Sequence, residues 1–89
     1  MVLHLNLKGE YFDQIKIGIK KFEFRLFNDY WSKRLIGRRY STILIKRGYP
    51  KKLDVSKIIA RPFLGYEIQT IQHEHFGPEP VKVFAITVN

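Results

Sequence analysis

Leucines at positions 3, 5 and 7 alternate with His4 and Asn6, so Val2 to Leu7 reads as a strand with one apolar face. The period then changes. Phe12, Ile15 and Ile19 recur at helical spacing, which predicts a short helix over Gly9 to Ile19. Lys16, Lys20 and Lys21 load its last turn, where the macrodipole favours cations. Gly18 is a candidate C-cap glycine that marks the helix end. Alternation returns from Lys21 to Leu26, with Phe22, Phe24 and Leu26 on one face and Glu23 and Arg25 on the other.

Asn28 or Asp29 is suited to cap a helical turn through Tyr30, Trp31 and Leu35, which Gly37 ends. Tyr40 to Lys46 reads as a third strand around Ile43-Leu44-Ile45, and Gly48-Tyr49-Pro50 as a turn. Leu53 to Arg61 reads as a fourth, less regular strand, with Pro62 marking an edge or a bulge. Tyr66 to Ile71 is a fifth. His73 to Pro80 is a loop bounded by Gly77, Pro78 and Pro80. Val81 to Val88 is the last strand, and its near-continuous apolar character predicts burial on both faces.

These elements predict a mainly β, α+β chain with one or two short helices. Five or six short strands with frequent turns suggest a small barrel or strongly curved sheet, which also removes exposed strand edges. Eighty-nine residues leave room for a single domain spanning 1–89, and no internal repeat or linker interrupts it. A chain of this size has a modest core, which seven Phe, five Tyr and one Trp help to fill.

Composition narrows the partners. The net charge is +8, from 16 Lys and Arg against 8 Asp and Glu. Phosphate backbones are the commonest reason for such an excess. No membrane-spanning run and no Lys-rich amphipathic helix is evident, so a membrane is not expected as partner. The absence of cysteine excludes a disulfide framework, a thiolate zinc site and a cysteine nucleophile, and fits a cytoplasmic setting.

The charge is clustered. No acidic residue falls between Asp29 and Asp54, whereas Lys33, Arg34, Arg38, Arg39, Lys46, Arg47, Lys51 and Lys52 do, with Tyr30, Trp31, Tyr40 and Tyr49 among them. Cations neutralise phosphates and rings stack unpaired bases, so Arg38, Arg39, Tyr40, Arg47, Tyr49, Lys51 and Lys52 are candidate RNA contacts. The plainer reading is a solvated basic surface over core aromatics, with Trp31 in the core. A second cluster, Lys20, Glu23 and Arg25, stands where the first helix gives way to a strand. An amine, a carboxylate and a guanidinium at one junction can serve a reaction, or form a surface ion pair worth ~0–1 kcal/mol.

Gly18, Lys20, Glu23 and Arg25 resemble the G-x-K-x-x-E-x-R signature of ASCH domains. Tyr11 to Lys16 looks like the helix of that family, and Leu35-Ile36-Gly37 falls where the family has Gly-Asp before a strand. The resemblance implies a PUA-like β-barrel of five to six strands with a cleft for RNA or a nucleotide. Some small bacterial ASCH proteins are amidohydrolases that remove the acetyl group of N(4)-acetylcytidine; others are described as ribonucleases or RNA binders. By that resemblance Lys20 and Glu23 are the catalytic candidates. Glu23 stands where the amidohydrolases carry a hydroxyl residue, and Arg38 where an acidic residue is usual. Glu67 and Glu74 are the candidates for the distant glutamate of those enzymes.

His73 and His75 form an H-x-H pair that lacks the third ligand of a catalytic zinc, so neither a metal nor a cofactor is expected. Ser32, Ser41 and Ser56 lack a nucleophile-elbow context, and no Gly-rich phosphate loop is present. The resulting expectation is an RNA- or nucleotide-binding domain, with hydrolysis of a modified nucleoside as its candidate chemistry. The alternatives are a non-enzymatic RNA-binding or regulatory module, a ribonuclease, and a module that binds acidic surfaces of other proteins. A pocket where Lys20, Glu23 and Arg25 converge separates a site from a flat basic face.

Overall fold

The structure, a computed structural model, describes residues 1–50 and 54–89. Among these residues six strands and two short helices follow the order β1 (Val2–Leu7), α1 (Gly9–Lys16), β2 (Phe22–Leu26), α2 (Asp29–Leu35), β3 (Thr42–Arg47), β4 (Ile58–Pro62), β5 (Tyr66–Ile71) and β6 (Val81–Thr87). Turns of 3-10 helix at Val55–Lys57 and Glu74–Phe76 precede β4 and follow β5. The fold is mainly β, of α+β type.

The strands form two three-stranded sheets. In the first, β3 lies between β1 and β4, parallel to β1 and antiparallel to β4. In the second, β6 lies between β2 and β5, antiparallel to both. The central place of β6 explains its apolar run: Val83, Phe84, Ala85 and Ile86 are all buried, so both faces of the strand are covered. Pro62 ends β4, which pairs with β3 alone, an edge position where the missing N–H costs least.

One core joins the two sheets. Leu3, Leu5 and Leu7 of β1 and Ile43 and Ile45 of β3 meet Phe84 and Ile86 of β6, with Phe12 and Ile15 of α1 and Leu35 of α2 closing it. The alternation of β1 therefore reads out as burial, as its pattern predicts.

Several element boundaries differ from the sequence expectation: β2 opens at Phe22, β3 runs on to Arg47, β6 ends at Thr87, and three differences are larger. The first helix stops at Lys16 rather than Ile19, and Ile17 and Ile19 are exposed. Thr42, not Tyr40, opens β3. Only Ile58–Pro62 of the expected fourth strand is extended, because Asp54 accepts from the Ser56 N–H and starts a 3-10 turn; Leu53 lies outside the described residues. No described helix is long and apolar enough to cross a membrane.

Candidate functional site

The end of α1 places Lys20. Gly18 takes φ +86°, its N–H donates to the Ile15 carbonyl at 3.0 Å, and the Ile19 N–H donates to the Gln14 carbonyl at 3.0 Å. This is the closure that a glycine one residue beyond the helix permits, since it alone adopts that φ without strain. The Lys20 N–H also donates to Gln14, while the Asn89 side-chain amide donates to the carbonyls of Lys20 (2.6 Å) and Ile15 (3.1 Å). The backbone of Lys20 is thus tied to the helix end and to the segment after β6.

From there β2 runs beside β6, with Glu23 opposite Ile86 and Arg25 opposite Phe84. Alternation alone would turn the apolar face of β2 inward. Glu23 is instead the buried residue of the strand, at 7% exposure, while Phe22 and Phe24 are half-buried. Pairing makes this possible, because a buried charge needs compensation. One carboxylate oxygen, Oε1, lies 3.7 Å from Lys20 Nζ, and the other, Oε2, accepts from Arg25 Nη2 at 2.9 Å. The same Nη2 donates to the Asn6 carbonyl of β1 at 3.0 Å, linking the two sheets.

Aromatic rings surround the cations. Lys20 Nζ lies 5.0 Å from the Tyr11 ring centroid and 5.1 Å from that of Phe24. The Arg25 guanidinium lies 4.9 Å from the Trp31 ring of α2. Arg25 Nε is buried without a partner, the one such side-chain atom among the described residues.

Lys20, Glu23 and Arg25 share a cavity of about 260 Å³. Trp31 and Tyr11 form part of its wall, and the 3-10 turn after β5 adds His73, His75 and Phe76. Both histidine rings meet Tyr11 edge-on, at 6.0 and 5.9 Å. Ligand pockets run from about 300 Å³ upwards, so this cavity, a little below that range, suits one small group.

Electrostatics set the chemistry. Burial pushes the Glu23 carboxyl above its ordinary range, and the nearby charges of Arg25, Lys20 and His75, with the Arg25 hydrogen bond, pull the other way without cancelling it. Burial also raises the Tyr11 phenol, helped by the negative charges of Glu10, Glu74 and Glu23. A carboxyl raised in this way is a better base than an exposed one, and the two cations beside it can stabilise negative charge on a ligand oxygen.

The basic window is arranged differently. Arg38, Arg39, Tyr40, Arg47 and Tyr49 lie outside the cavity wall. Arg38 Nε donates to the Lys33 carbonyl, and Arg39 is exposed. Tyr40 packs against Phe63 and the core, and its hydroxyl donates to the Arg34 carbonyl. Arg47 lies over Gly9 and pairs with Asp13 at 3.5 Å, and Tyr49 is exposed. Lys51 and Lys52 fall outside the described residues. Of the two glutamates, Glu67 is exposed on β5 and accepts from Gln69, whereas Glu74 sits in the turn that supplies the histidines.

Tyr11, Trp31, His73, His75 and Phe76 reach the site from positions that no local sequence pattern ties to Lys20, Glu23 and Arg25. The available signal was the H-x-H-F run between Gln72 and Gly77, an unusual density of rings for a loop. Among the described residues no three His, Asp or Glu side chains group as a metal site. No family model matches this chain, and neither the curated proteins nor the solved structures gave a match.

Proposed function

We propose that this chain is an ASCH-like domain that takes a single nucleobase into the aromatic-walled cavity and hydrolyses the amide of an N(4)-acylated cytidine. The observation that carries the reading is the convergence of Lys20, Glu23 and Arg25 in one cavity lined by rings. The G-x-K-x-x-E-x-R resemblance supports it, and the two sheets correspond in this reading to the halves of a PUA-like barrel. The same reading places the protein in the cytoplasm.

In the reaction, the Glu23 carboxylate takes a proton from water as the oxygen bonds to the acyl carbon. Lys20 and Arg25 hold the oxyanion that develops, where preorganised charge in a sheltered site is most effective. Glu23 then returns the proton to the departing cytosine amine. The products are cytidine and the free acid, and the atoms balance with water as the only co-reactant. Incubating the protein with N(4)-acetylcytidine should release acetate and cytidine, and Lys20→Met should slow that release by ~100-fold or more. A wild-type protein that releases neither refutes the hydrolase reading.

A second reading is binding without chemistry. It is favoured by the position of the Lys20 amine, held between Glu23 and two rings as a paired ammonium. Its signature is saturable binding of the nucleoside with no acetate released.

A further inference from the structure

The helix α2 has two contrasting stripes. Trp31 and Leu35 face inward: Leu35 joins the core, and Trp31 stacks on Arg25 and forms part of the cavity wall. Tyr30, Lys33 and Arg34, at helical spacing i, i+3 and i+4, are exposed on the other side. The Arg34 guanidinium lies on the Tyr30 ring, 3.4 Å from its centroid, and Nη1 donates to the Tyr30 carbonyl. Arg38 continues the face, its Nε tied to the Lys33 carbonyl. Among the described residues none of Lys33, Arg34, Arg38 and Arg39 forms an ion pair. Asp29 is the only acidic residue of the helix.

The positive face therefore begins where the cavity wall ends, with one helix supplying both. A ring-walled hole for one base beside uncompensated cations is the arrangement that suits a single strand, whose phosphates track a basic surface while its bases stack. We propose that Tyr30, Lys33 and Arg34 hold the strand flanking the bound base, so that the ligand is a nucleotide unit within single-stranded RNA rather than a free nucleoside. This rests on the nucleobase reading of the cavity and adds the substrate class to it. An acidic protein would be drawn to the same charge, but it would make no use of the adjoining cavity.

The test compares free N(4)-acetylcytidine with a single-stranded RNA of ~10 nucleotides carrying one such residue, in the wild type and in the double variant Lys33→Ala, Arg34→Ala. Both residues are exposed, so the variant is expected to fold. The wild type should process the RNA at low salt with a kcat/KM about tenfold above that of the nucleoside, the advantage shrinking as salt rises. The double variant should lose most of that advantage, and the slope of log affinity for RNA against log salt should become shallower by ~1.4, two contacts at ~0.7 each. Its turnover of the free nucleoside should be unchanged. Equal handling of the two substrates by the wild type, or an unchanged salt slope in the variant, overturns the proposal. If neither substrate is hydrolysed, the hydrolase reading falls, and RNA binding measured by fluorescence anisotropy in the same two proteins decides the strand proposal. Wild-type binding with an unchanged variant, or no RNA binding at all, overturns it.

Discussion

The cations of this chain fall into two populations. At the cavity, Lys20 and Arg25 are largely buried, share one carboxylate and lie against rings. On α2 and after it, Lys33, Arg34, Arg38 and Arg39 are exposed and carry no partner carboxylate among the described residues. The residue types are the same, but the physics is not. A sheltered, paired charge has fixed geometry and acts at one point, whereas exposed charges act as a field that salt screens. The cavity group is therefore suited to chemistry, and the outer group to attracting and aligning a polyanion.

The largest expected contrast is catalytic. Lys20→Met keeps most of the side-chain stem and removes the ammonium. Turnover of N(4)-acetylcytidine should fall by ~100-fold or more, the scale lost when one oxyanion-stabilising group is removed. Affinity for single-stranded RNA should fall only about twofold, since one contact of several is lost. A variant that turns over normally would place Lys20 outside the mechanism.

Next in size is stability. Arg25→Ala removes the hydrogen bonds to Glu23 and to Asn6 and the stack on Trp31, and leaves Glu23 with Lys20 alone. Urea unfolding should show a loss of ~2–3 kcal/mol, as expected when a largely buried charged partner is deleted. Arg38→Ala, at an exposed site, should change stability by ~0.5 kcal/mol or less. Similar losses from the two substitutions would erase the distinction drawn between the populations.

The smallest effect is on pH dependence. The Glu23 carboxyl sits above its ordinary value of 4.5 because it is buried. The folded state then holds a proton that the unfolded chain has released, so stability contributed by this group is full below 4.5 and falls as pH rises through the folded value. Asp54 acts with the opposite sign, lowered by hydrogen bonds from Ser56, and its stabilisation is lost as pH falls. The readout is therefore the difference between wild type and Glu23→Gln across acidic pH. The variant should be relatively more stable at neutral pH than at pH 4.5. A difference that is flat with pH would show that Glu23 titrates as in the unfolded chain.

Much of this was legible in the order of residues. The alternation of Leu3, Leu5 and Leu7 marked the buried face of β1, and the apolar run 81–88 marked a strand covered on both faces, which the structure places at the centre of its sheet. Gly18 marked the helix end because the φ it adopts is one that few other residues tolerate. The interior of β2 was not legible. Charges at alternate strand positions ordinarily mark the solvent face, and only the partners supplied by Lys20, Asn6 and Trp31 make Glu23 and Arg25 tolerable inside. The remaining wall of the cavity comes from positions 11 and 73–76, which no local pattern connects with position 23. Clustering of Lys and Arg along the chain likewise did not mean clustering at one site, since Arg47 turns to Asp13 and Tyr40 to the core.

The strand pairing has a consequence for when the site comes into being. Val2 pairs with Thr42, and Phe22 pairs with Thr87, so neither sheet has its register fixed by a nearby turn alone. Contacts between such distant positions require loop closure before they return any stabilisation, which slows folding relative to a helical chain of the same size. During synthesis the Lys20–Glu23–Arg25 group is made well before its supporting strand β6, which follows every other described strand. Until residues 83–87 leave the ribosome, β2 has no neighbour in its sheet, and a nascent chain that already displays every basic residue of α2 still has no completed cavity beside it. On the proposed reading, attraction of a strand would then precede the capacity to take up its base, and that order follows from topology alone.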